Sequence, residues 1–166
     1  FQYERVGLNL RPELLAVKDA GNGAAAFAEV AGKIAKESEF NLVLMTEDID
    51  VMKAGVEASG FKRPLLYAAT EGNADAMGAL AKDNDLPLAV KAESVDALTP
   101  LTEKLSGMGI KDLVIDSGSR EVKQAFDDQV AIRRAALKAS NKALGFPTIT
   151  FPCEMASNLD METLIA

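Results

Sequence analysis

Five short apolar runs in this chain are each followed by side chains that carry oxygen. Thr46-Glu47-Asp48 follows LVLM, Thr70-Glu71 with Asn73 follows LLYA, and Glu93-Ser94 follows LAVKA. Asp116 ends LVID and is followed by Ser117, Ser119 and Arg120, while Thr150, Cys153 and Glu154 lie in and after TITF. Carboxylates and hydroxyls gathered on one rim suit a hard metal ion or a polar ligand. Thr46, Glu47, Thr70, Glu71, Asn73 and Asp116 are therefore the candidates for cofactor contact. The same residue types also cap helices: Thr, Asp, Ser and Asn accept from orphan N–H groups, and Glu suits a first turn. Capping is the favoured reading for each taken singly.

Four other features could do chemistry. Lys91 is the one lysine inside an apolar run, and a desolvated lysine forms Schiff bases; an ion-paired lysine near a strand end is the simpler reading. Asp116, at a strand end, could hold a pterin, a metal or a sugar hydroxyl, or cap the next helix. Cys153 is the sole cysteine, and the chain has no histidine. Without a base beside it the thiol reads as structural. These counts exclude a Ser-His-Asp triad, a Cys-His pair, an intrachain disulfide and a cysteine-built cluster from these residues alone. No catalytic residue and no metal ligand is assigned. Arg133-Arg134 reads as a surface or interface pair. Ser117-Gly118-Ser119 is a weak anion signal, and the GxGxxG and GxxxxGK[ST] phosphate motifs are absent.

The elements that must position these residues recur. The runs starting at Leu42, Leu65, Leu88 and Leu113 are 23, 23 and 25 residues apart, about the length of a strand, a helix of three turns and two loops. LLAV (14–17) adds a strand before them and TITF (148–151) one after. FQYERVGLNL is a mixed, extended opening, and Phe61-Lys62-Arg63-Pro64 leads into the third strand, LLYA. Helices are expected over 24–36, with Phe27, Val30, Ala31 and Ile34 in one stripe; through Ile49, Met52 and Val56, stopping near Gly60; through Ala74, Met77, Leu80 and Ala81; from Ser94 through Val95, Leu98, Leu101 and Leu105, stopped by Gly107-Met108-Gly109; and over about 121–142, the last bent near Asp127-Asp128. A further helix begins after TITF. Short apolar strands alternating with helices predict a parallel sheet covered by helices. A full barrel takes about 250 residues, so six βα units fit a partial (β/α)8 TIM barrel. An open doubly wound sheet is the rival; the even spacing favours the barrel. The chain, residues 1–166, reads as one barrel portion. It starts without Met and stops inside a helical pattern, so it is read as a piece of a larger protein.

The 166 residues include 18 basic and 25 acidic ones, a formal charge of −7. That balance works against nucleic acid or an anionic membrane as a partner. No apolar run reaches the length of a membrane span.

RPLLYAATEGNADAM (63–77), KDLVIDSGSR (111–120) and LGFPTITF (144–151) go further. With the rest of the chain, in order, they resemble the large (gamma) subunit of the corrinoid iron–sulfur protein of the CO dehydrogenase/acetyl-CoA synthase (decarbonylase/synthase) system. The resemblance implies the subunit's central TIM barrel, set between a four-iron four-sulfur cluster domain and a corrinoid (cobamide) domain that this chain does not match. It implies a cytoplasmic methyl carrier between a methylated pterin and acetyl-CoA synthase. The implied partners are a small barrel subunit in a heterodimer and, transiently, the pterin methyltransferase and acetyl-CoA synthase. This portion is expected to bind no cofactor alone and to serve structure and docking. The alternative is a free-standing barrel methyltransferase or lyase that uses Lys91 or Asp116.

Overall fold

The computed structural model describes residues 3–60 and 62–166; Phe1, Gln2 and Phe61 of the runs above lie outside them. Among the described residues the chain is mixed α/β, with a five-stranded parallel sheet and seven α-helices. The sheet strands are β3 (Leu14–Lys18), β4 (Asn41–Met45), β5 (Leu65–Ala69), β6 (Leu88–Lys91) and β7 (Leu113–Asp116), in chain order. They are preceded by a two-stranded hairpin, β1 (Tyr3–Arg5) and β2 (Leu8–Leu10). The fold divides into two compact units, with the boundary after Tyr67 inside β5.

In the first unit, the opening run forms the hairpin, with Tyr3 opposite Leu10 and Arg5 opposite Leu8. Val6 and Gly7 both take left-handed φ, 53° and 74°, as a two-residue hairpin turn requires. β3 pairs with β4, and β4 with β5, all parallel. Leu42 to Met45 are buried without alternation, as expected of a strand covered on both faces. β3 buries only Val17. Helices α1 (Ala24–Glu37) and α2 (Ile49–Ser59) pack on each other. Gly55 of α2 lies against the Phe27 ring of α1, so close that an added Cβ would stand 2.5 Å from Cε1. Phe27 and Ala31 of the expected stripe are buried and Ile34 is half-buried, but Val30 faces solvent.

In the second unit, β6 pairs parallel with β7, with Leu88 opposite Leu113 and Lys91 opposite Asp116. Helices α3 (Ala74–Asp83) and α4 (Val95–Gly107) follow β5 and β6. They bury Ala74, Met77 and Ala81, and Leu98, Leu101 and Leu105. α5 (Val122–Lys138) is one helix through Asp127-Asp128, and Asp128 accepts from the Gln124 side chain one turn earlier. It ends earlier than expected. Ser140 takes φ 54°, and the Asn141 side chain caps a separate 3₁₀ turn over Lys142–Leu144.

The sixth strand is reduced to one parallel bridge, Ile115 to Thr148. Ile115 N–H donates to Pro147 O at 2.8 Å and Ile149 N–H to Ile115 O at 3.0 Å. Pairing stops there because TITF sits between two prolines: Pro147 has no N–H to donate, and Pro152 opens the short helix α6 (Pro152–Met155). α7 (Leu159–Ile165) completes the chain.

The outer face of α5 carries Val122, Phe126 and Leu137 in solvent. Phe126→Ser is expected to change stability by less than about 0.5 kcal/mol, because the side chain leaves no cavity behind. Thermal unfolding of the variant beside the parent checks this.

Candidate functional site

The loops at the carboxyl ends of the strands hold the candidate residues, and each unit ties its own together. In the first unit, Thr46 is buried. Its hydroxyl donates to Asp19 Oδ2 at 3.3 Å and accepts from Asp48 N–H at 3.2 Å. Asp19 Oδ1 accepts from Gly21 N–H at 2.9 Å. Asp48 caps α2, accepting from the N–H groups of Asp50 and Val51 at 2.8 and 3.2 Å. Glu47 between them is exposed. Asp48→Ala is expected to cost about 1 kcal/mol, the usual loss for an N-cap, read as a lowered urea midpoint.

In the second unit, Asn73 does not cap α3. Its Oδ1 accepts from Thr70 N–H at 2.7 Å and its Nδ2 donates to Ala68 O at 3.3 Å, closing the loop on itself. Glu71 is exposed. Ser94 caps α4 through Ala97 N–H. Lys91 is half-buried at the end of β6.

The densest cluster lies after β7. Asp116 is only 2% exposed. Arg120 grips it with two donors, Nη2 to Oδ2 at 2.8 Å and Nη1 to Oδ1 at 3.2 Å. Gly118 N–H adds a third bond to Oδ1 at 2.8 Å. Arg120 Nε donates to Glu154 Oε2 at 2.6 Å, and its guanidinium carbon stands 5.1 Å from the Phe151 ring centre, within cation–π range. Ser119 Oγ donates to Asp128 Oδ2 at 2.5 Å, and Gln124 holds the other oxygen of that buried carboxylate. An acid clasped by a guanidinium and a backbone N–H is a strut rather than a free base.

Asp19, Gln124, Asp128 and Phe151 are participants that sequence reasoning missed. Asp19 stands one residue beyond its strand, just as Thr46 does, and that shared place is the signal that could have found it. The Asp128 and Phe151 contacts depend on how a helix and a segment far along the chain pack. Among the described residues, no group of three or more His, Cys, Asp or Glu is placed to hold a metal ion. Among the same residues, no helix is long and apolar enough to cross a membrane.

Residues 1–164 match the family model described as the CO dehydrogenase/acetyl-CoA synthase delta subunit. The chain belongs to this family. Among curated relatives of this CO dehydrogenase/acetyl-CoA synthase family, the corrinoid/iron-sulfur protein large subunit of Moorella thermoacetica is 39% identical over 147 residues, covering 89% of this chain and 33% of the relative. The acetyl-CoA decarbonylase/synthase complex gamma subunit of Methanopyrus kandleri is 35% identical over 159 residues, covering 92% of this chain and 34% of that protein. The corresponding subunit of Methanothermobacter thermautotrophicus is 31% identical over 155 residues, covering 91% and 34%. The chain thus spans about a third of the length of the curated relatives it matches. These relatives bear large or gamma subunit names, the kind of subunit that RPLLYAATEGNADAM and its companion stretches indicate.

Proposed function

We propose that this chain is the barrel portion of a corrinoid iron–sulfur methyl carrier. The full subunit moves a methyl group from a methylated pterin to acetyl-CoA synthase in the acetyl-CoA pathway. The observation that carries the reading is the family match over residues 1–164, joined to relatives named as corrinoid/iron-sulfur and acetyl-CoA decarbonylase/synthase subunits. Parallel strands in chain order, with a helix after each of β3 to β7, support a partial (β/α)8 barrel whose last unit is the Thr148 bridge.

The residues present do not fit a four-iron four-sulfur cluster, which takes four thiolates, since Cys153 is the one cysteine. The rim carboxylates Asp48 and Asp116 hold N–H groups and a guanidinium, which supports a structural role for them. The role left to this portion is to hold rim loops rigid and to present its helices to a small barrel subunit. The pterin methyltransferase and acetyl-CoA synthase meet the full subunit transiently in the cytoplasm. Thr46, Glu47, Thr70, Glu71, Asn73 and Asp116 stay the candidates for contact with a cofactor carried elsewhere in the full subunit.

The test is the full-length subunit. It is expected to contain cobalt and iron, to show corrinoid absorption, and to accept a methyl group from a methylated pterin in the presence of the methyltransferase. A full-length protein with neither metal and no methyl acceptance overturns the reading.

A further inference from the structure

We propose that residues 150–155 form a strap, latched by Arg120, that opens and closes over the loop after β7. This inference rests on packing within the second unit and stands whether or not the full subunit carries a corrinoid. The two sides of the Arg120 guanidinium differ in kind. Its inner side holds Asp116, 2% exposed, in a loop pinned at several points. Gly118 N–H bonds Asp116, Ser119 bonds the buried Asp128, and Gly118 presses against the backbone of Ala92. Its outer side holds Glu154, whose side chain is 34% exposed, and the face of Phe151.

The strap itself is lightly built. Sheet pairing toward it is a single bridge at Thr148. α6 is four residues long and buries none of them. A water-exposed ion pair is weakened by salt and by competing water, and the shielded Asp116 pair is weakened much less. The latch therefore breaks at Glu154 and Phe151 first, and Arg120 stays on Asp116. Opening bares the outer face of a guanidinium at the carboxyl end of a sheet strand, the end where βα proteins take their ligands.

Hydrogen exchange read by mass spectrometry on the full-length protein tests this. The readout is peptides covering 149–158, against peptides from β7 and α5 as internal controls. Glu154→Ala is expected to speed exchange over 149–158 by about 5-fold, the size of a partly exposed ion pair, and to leave β7 and α5 unchanged. Phe151→Leu, which keeps apolar volume but removes the ring face, moves exchange in the same direction. Raising NaCl from about 0.05 to about 1 M shortens the screening length, and is expected to speed the same segment in the parent and not in Glu154→Ala. Exchange over 149–158 within twofold of the parent in both variants overturns the proposal. So does equal acceleration in β7 and α5, which would make the contact a strut of the whole unit.

Discussion

Arg120→Ala is expected to lower folding stability by about 3 kcal/mol, the low end for removing one partner of a buried pair. The loss comes less from the bonds broken than from what remains. Asp116 is 2% exposed and ends a buried strand, and its carboxylate loses both guanidinium donors. Removing one partner from a buried charge costs more than the pair itself was worth. The low end applies because Arg120 is a quarter exposed, so water follows the truncated side chain in. Urea unfolding should show a midpoint lower by roughly 1.5 M at an ordinary slope for this size. Asp116→Asn should cost less, because no charge is left buried. The double variant Asp116→Asn with Arg120→Ala should be more stable than Arg120→Ala alone. Equal loss in the single and double variants would remove the stranded charge as the cause.

That strut marks where the sequence was legible and where it was not. Strand positions β4 to β7 were readable because buried parallel strands are continuous apolar runs, and Leu42, Leu65, Leu88 and Leu113 start at near-equal intervals. Asp48 and Ser94 were readable as caps because capping is local chemistry, settled within three residues. The hairpin at the opening was not, since its turn is Val6-Gly7 rather than the Asn-Gly or Asp-Gly that signals one. The sixth strand is shorter than its β-branched run suggests, because the two prolines that bound it limit pairing. The partners of Arg120 divide the same way. Asp116 is four residues away and was named with it, but Glu154 lies 34 positions along the chain. No spacing rule reaches that far; the contact exists because the 150–155 segment returns to the end of β7.

Gly118→Ala is expected to cost about 3 kcal/mol, for two separable reasons. Gly118 takes φ 76°, where an alanine is strained by about 1 to 2 kcal/mol. A Cβ built there would also stand 2.3 Å from the carbonyl oxygen of Ala92. That oxygen belongs to backbone directly after β6, so it cannot swing aside as a flexible side chain would. Overpacking of this kind adds about 1 to 3 kcal/mol. Gly21 separates the two terms: it has the same φ, 76°, and nothing within 4 Å of its built Cβ. Gly21→Ala should therefore show the backbone strain alone, about 1 kcal/mol. Urea unfolding of both variants measures the difference, which is the close approach between the ends of β6 and β7. The approach also sets Arg120. If the 116–120 loop is pushed off Ala92, Gly118 N–H leaves Asp116 and the guanidinium loses its fixed seat. Gly118→Ala should then speed exchange in the 150–155 segment as well, while Gly21→Ala leaves that segment as it was. Equal costs at the two glycines would mean that the loop after β7 yields freely, and the rigid half of the latch would be lost with it.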